Sequence, residues 1–203
     1  MKFKEHVVGI CNKVSQKLHA LARISSFVGT DKLRVILKAF IESQFKYCPL
    51  VWMFHSRSLN NRINRLHERA LKLVYKDSKL SFEELLIKDK SFCVHHRNLQ
   101  ALAIEMYKFH KNISPEIMNL VFKKSTVTHD LRNKNIFACP NAKTVYYGTE
   151  TISFRGPKIW ALIPENIRLA QTLEVFKDKI KTWNPTGCTC RLCKVYLRRI
   201  GFV

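Results

Sequence analysis

Three cysteines within six residues, Cys188-x-Cys190-x-x-Cys193, are the densest set of metal donors in this chain. Thiolates at that spacing converge on one zinc ion when a turn gathers them, and Pro185 and Gly187 open a turn-prone stretch just before. A structural zinc site takes four donors, yet no histidine or cysteine follows Cys193. The nearest earlier candidates are Cys139 and His129, so the fourth position stays open locally, and three ordinary reduced thiols are the plainer alternative. Two other groupings invite a nucleophile and a base: His95-His96, and the trio Cys48, His55 and Ser56. A triad needs a base held by an orienting group at close range, which spacing alone does not supply. The histidine pair stands at a helix start beside Arg97, where polar and capping roles are commoner, and Cys48 precedes a proline in an apolar run that reads as core. Divalent-metal catalysis has no better footing. None of the five aspartates adjoins another, and no tight carboxylate cluster offers oxygen donors to magnesium.

The other chemistry on offer is positive charge. Arg62, Arg65, Arg69, Lys72 and Lys76 step by three and four along a segment predicted to be helical from Ser58 to Lys76. They therefore form one basic stripe, while Ile63, Leu66, Ala70 and Leu73 project elsewhere. Only Glu68 and Asp77 lie near enough along the chain to offset it, and Arg57 stands just before. Such a helix suits a phosphate backbone, although charge runs are more often simply solvated. Trp52, Phe54, Trp160 and Trp183 have the ring area to stack on bases, but their apolar neighbours make core packing the default. Tyr146 and Tyr147, in a polar stretch with Lys143, read as better ligand-facing rings, and Lys194, Arg198 and Arg199 add cations after the cysteines.

Composition agrees with a polyanion partner. The chain has 203 residues, with 36 Lys+Arg against 15 Asp+Glu for a formal net charge of +21. Phosphate contacts release counterions and so supply affinity in proportion to their number. At 46% hydrophobic, with 6 Gly and 6 Pro, the chain should fold around a core rather than remain a disordered basic tail. The longest apolar run, Pro49 to Phe54, is far shorter than the roughly 20 residues that span a bilayer. The N-terminal stretch lacks the apolar core of a secretory signal, and seven cysteines is an odd number. Reduced thiols or metal ligands inside the cell are expected, with the nucleus among the expected places.

Periodicity predicts a mostly α-helical protein. Helices are expected over Phe3–Phe27, from Thr30 to Tyr47, over Ser58–Lys76, after a capping box at Ser81 and Glu84, over about Cys93–Lys111, briefly after Ser114-Pro115, and over Thr172–Trp183. Leu50 to Phe54 reads as fully buried. After Phe122 the texture becomes richer in Asn, Thr, Gly and Pro, with two short strands expected between Asn135 and Phe154 and a break at Gly156-Pro157. The expected organisation is a helical thumb-like domain over 1–122 and an irregular extension over 123–203 with a Cys-rich basic tail.

Several segments, read in order, resemble one family. They are 15–24 (SQKLHALARI), 47–57 (YCPLVWMFHSR), 64–71 (NRLHERAL), 95–100 (HHRNLQ), 156–160 (GPKIW) and 190–194 (CRLCK). Together they look like the region downstream of the polymerase palm in jockey-like non-LTR retrotransposon reverse transcriptases, and the resemblance covers nearly the whole chain. The family's palm carries a Tyr/Phe-Ala-Asp-Asp metal motif that is absent here, and Phe3-Lys4-Glu5-His6 looks like the stretch just after that palm. Met1 would then be an internal methionine of a longer reading frame. The resemblance implies a thumb that grips template and primer, with an extension that binds element RNA or target DNA. The expected partners are RNA or DNA and the missing palm of the parent polymerase, with no membrane. Zinc is the one cofactor to consider, and the chain alone is not expected to be an enzyme. The rival expectation is a degenerate relic whose exposed thumb surface packs on another polypeptide.

Overall fold

The computed structural model describes residues 3–125, 136–144, 148–185, 187–190 and 192–193. The chain divides into two compact units, Met1–Asn98 and Leu99–Val203. It is mostly helical, with a single two-stranded sheet among the described residues. No described helix is long and apolar enough to cross a membrane.

In the first unit, α1 (Lys4–Ile24) buries Val7, Ile10, Cys11, Val14, Leu18 and Leu21, the three-and-four spacing of one helix face. It lies against α5 (Arg57–Tyr75), which buries Ile63, His67, Ala70, Leu71 and Val74. Between them the expected second helix forms as one continuous helical run: α2 (Thr30–Ile36), a π-helical turn over Leu37–Glu42, and α3 (Ser43–Lys46). The widened turn buries Glu42 along with Leu37 and Ile41. Arg97 Nη1 meets Glu42 Oε2 at 2.7 Å and Lys46 Nζ approaches it at 3.4 Å, so the buried carboxylate is neutralised.

A short α4 (Pro49–Trp52) follows Cys48, whose φ of 44° is left-handed. Two expectations fail here. Cys48 is exposed rather than core, and Val51 is 56% exposed, because a single helical turn before α5 buries one side only, that of Trp52. In α6 (Phe82–Asp89) the expected capping box is present, with Ser81 Oγ accepting from the Glu84 amide and the Glu84 carboxylate accepting from the Ser81 amide. Asp89 ties this helix back, accepting from Tyr75 Oη at 2.8 Å and pairing with Arg34 Nε at 2.8 Å.

The second unit is built on α7 (Val94–His110), which begins in the first unit and runs unbroken into the second. A 3-10 turn (Glu116–Leu120) leads to β1 (Lys123–Lys124), antiparallel to β2 (Phe137–Ala138) in the register Lys123 to Ala138. One strand thus falls in the expected window and its partner precedes it. Then come α8 (Ile152–Leu162), α9 (Glu165–Arg168) and α10 (Leu173–Thr182). The expected break at Gly156-Pro157 does not occur, since α8 runs through both residues. An interior proline costs about 3 kcal/mol of helix stability, and packing outweighs it. Gly156 sits where a Cβ would come within 2.7 Å of Met106 and Phe122, and Ile159 and Trp160 are buried beyond it. The core is aromatic: Tyr107 stacks on Phe176 at 4.3 Å, Phe176 faces Trp160 at 6.1 Å, and Phe137 meets Trp160 edge-on at 5.5 Å.

Candidate functional site

α5 starts at Ser56, whose hydroxyl accepts from the Leu59 amide, and ends at the left-handed Lys76. Its apolar residues are buried against α1, which leaves the opposite face for the cations. Arg57, Arg62, Arg65, Arg69 and Lys76 are exposed, and Lys72 is half-buried. Two of the six are partly engaged: Arg62 donates to Asn12 Oδ1 at 2.7 Å, and Lys72 pairs with Glu68 at 2.8 Å. Among the described residues Arg65 and Arg69 form no ion pair, so their charge is fully presented to solvent. A half-buried i, i+4 pair of this kind is worth only a few tenths of a kcal/mol, so Glu68 holds Lys72 weakly. Tyr146, Tyr147, Lys194, Arg198 and Arg199 lie outside the described residues.

The tail cysteines are all buried: Cys188 at 1%, Cys190 at 0% and Cys193 at 4% exposure. The Cys188 amide donates to the Pro185 carbonyl at 3.1 Å, forming the turn that precedes them. Cys193 N–H donates to Cys190 Sγ at 3.4 Å. Hydrogen bonds from the Cys190 and Cys193 thiols hold the Cys188 thiol well below the ordinary thiol range, and the Arg155 guanidinium adds to the effect. The same contacts push Cys193 upward, so one thiol of the group ionises first and its neighbours solvate the charge. Arg155 is itself buried and bonded to Glu150.

On α7, Gln100 Nε2 donates to the Trp183 carbonyl at 2.7 Å and to the Lys181 carbonyl at 3.3 Å. One turn earlier, His95 is 1% exposed. The buried tail cysteines supply thiolate donors of the kind zinc takes. Cys139, the earlier candidate, is exposed with its thiol on the Phe154 carbonyl at 3.9 Å, and His129 lies outside the described residues.

The remaining candidates have structural duties. Ser56 caps α5, and His55 Nδ1 lies 3.0 Å from the Trp52 carbonyl. Trp52, Trp160 and Trp183 are core, as expected, at 2%, 2% and 9% exposure, and Phe54 is half-buried. No protein-family model, curated protein or solved structure matches the chain.

Proposed function

We propose that this chain binds nucleic acid without catalysing chemistry on it, as the thumb and C-terminal extension of a reverse transcriptase of the jockey-like non-LTR type. Its substrate is RNA–DNA hybrid, duplex or structured RNA, held through phosphates with little base readout, and the nucleus is among the places where it would act. The single observation that carries the reading is the exposed α5 stripe, in which Arg65 and Arg69 present uncompensated charge opposite a buried apolar face. The net charge of +21 supports it, since a counterion-release partner is what such an excess favours. The same proposal gives Cys188, Cys190 and Cys193 a zinc ion. A double Arg65→Gln, Arg69→Gln variant is expected to weaken binding to hybrid, duplex DNA and RNA alike. Equal affinity in that variant, or loss on one sequence only, would remove the stripe from the reading. No primer extension is expected with magnesium or manganese.

A second reading, docking on another polypeptide, is favoured by one observation. The α2-to-α4 stretch leaves Val35, Phe40, Tyr47 and Val51 more than half exposed, at 66%, 59%, 69% and 56%. Exposed apolar residues in that number mark association surfaces when they are contiguous. Replacing Phe40 and Val51 with Ser would then abolish association while leaving hybrid binding intact.

A further inference from the structure

We propose that α1 supplies a second row of phosphate contacts beside the α5 stripe, so that one strand of a nucleic-acid backbone lies along the seam between the two helices. The inference rests on the nucleic-acid reading above and adds residues that reading leaves out. Three contacts, all inside the first unit, set α1 against α5. The His6 ring lies 6.5 Å from that of Trp52, just before α5 begins. Midway, Asn12 Oδ1 accepts from Arg62 Nη2 at 2.7 Å, an offset of 50 residues. Beyond the end of α1, Arg34 of α2 and Tyr75 at the end of α5 share Asp89. The two helices therefore run side by side in the same direction, with His19 level with Arg69 and Arg23 close to the level of Lys72.

The flank of α1 that meets α5 is the one carrying Asn12. On the other flank Lys17 Nζ donates to the Phe40 carbonyl at 3.1 Å. Asn12, Gln16, His19 and Arg23 step by four, three and four, so they form one row, and all four are exposed. Val14, Leu18 and Leu21 are buried on the opposite side of the same helix. Every member of the row can donate a hydrogen bond, which is what a phosphate oxygen accepts. The bond from Arg62 occupies the Asn12 oxygen and leaves the N–H donors of that amide for a ligand. No acid stands in α1 after Glu5, and the one acid on α5, Glu68, pairs with Lys72. An anion on the seam thus meets donors from both helices. At about 1.5 Å per residue the α1 row is about 16 Å long, the reach of about five nucleotides at about 3.4 Å each.

The test measures the affinity of the full chain for an RNA–DNA hybrid against salt, in the parent, in Arg23→Gln, in Lys38→Gln and in the double variant Arg65→Gln, Arg69→Gln. Arg23 stands on the α1 row, whereas the exposed Lys38 belongs to the π-helical turn that Lys17 meets on the other flank. Each single variant removes the same charge. Losing one phosphate contact makes the log–log slope shallower by about 0.9, so Arg23→Gln is expected to show that change and Lys38→Gln none. Asn12→Asp keeps an acceptor for Arg62 but places a carboxylate in the seam, so it should weaken binding without lowering the melting temperature. An unchanged slope in Arg23→Gln, or equal changes in the two single variants, overturns the seam, while a shallower slope in the double variant leaves the α5 reading standing. If Arg23→Gln does not fold, Asn12→Asp decides: weaker binding supports the seam and unchanged affinity overturns it. A parent that ignores salt, or a double variant that keeps the parent slope, overturns both the inference and the reading beneath it.

Discussion

His67 is wholly buried, and burial, reinforced by Arg97 and opposed by Asp89, pushes its imidazole down to about 3. Glu42, at 3.8 Å, is the nearest carboxylate. An imidazole in the unfolded chain titrates near 6.5, so between about pH 6.5 and about pH 3 the unfolded state holds a proton that the folded state refuses. Stability therefore falls as pH drops through that window, by at most about 1.4 kcal/mol per pH unit, and is indifferent to His67 above it. Urea unfolding followed against pH should show this limb in the parent and a flatter one in His67→Gln. An identical acid limb in both would mean the imidazole is not held neutral. Gly156 makes a second residue-scale prediction. Alanine is intrinsically the better helix former by about 1 kcal/mol, but its Cβ would meet Met106 Sδ and Phe122 Cε1 at 2.7 Å. Overpacking of that kind costs about 1–3 kcal/mol, so Gly156→Ala should lower the melting temperature, and a rise would show that the helix is not pressed against Phe122.

At the scale of elements, the capping box at the start of α6 is the most local device, and Ser81→Ala should cost about 1 kcal/mol in chemical denaturation. At the other end of the same helix Lys90 sits at φ 52°, a conformation glycine adopts freely. Lys90→Gly should be neutral to stabilising, and clear destabilisation would mean that Lys90 makes a contact worth more than its backbone strain. The elements that were legible in the sequence were those whose signal is local. The periodicity of α1, α5 and α10 and the Ser81/Glu84 pair each predict their helix unaided. The π-helical turn at Leu37–Glu42 was not legible, because burial of Glu42 depends on Arg97, from a distant helix. α8 was misread for a related reason: Gly156-Pro157 is a breaker locally, and only the aromatic core beside it makes the helix worth its missing hydrogen bond.

At the scale of the molecule, the candidate sites follow the same rule. The basic stripe on α5 could be read from spacing, since one helix carries all of it. The cysteine turn was equally visible, since Cys188, Cys190 and Cys193 stand within six residues of one another. Zinc on the tail cysteines predicts that chelator lowers the melting temperature of the parent and leaves that of Cys190→Ser, Cys193→Ser unmoved, because binding to the folded state alone stabilises it. The basic stripe makes the larger claim, that phosphate contacts along α5 are what the molecule is for. The most direct measurement is the affinity for an RNA–DNA hybrid as a function of salt, for the parent and for Arg65→Gln, Arg69→Gln. The parent should give a straight line of negative slope on log–log axes, and losing two phosphate contacts should make it shallower by about 1.8. Binding that ignores salt, or an unchanged slope in the variant, would contradict the account.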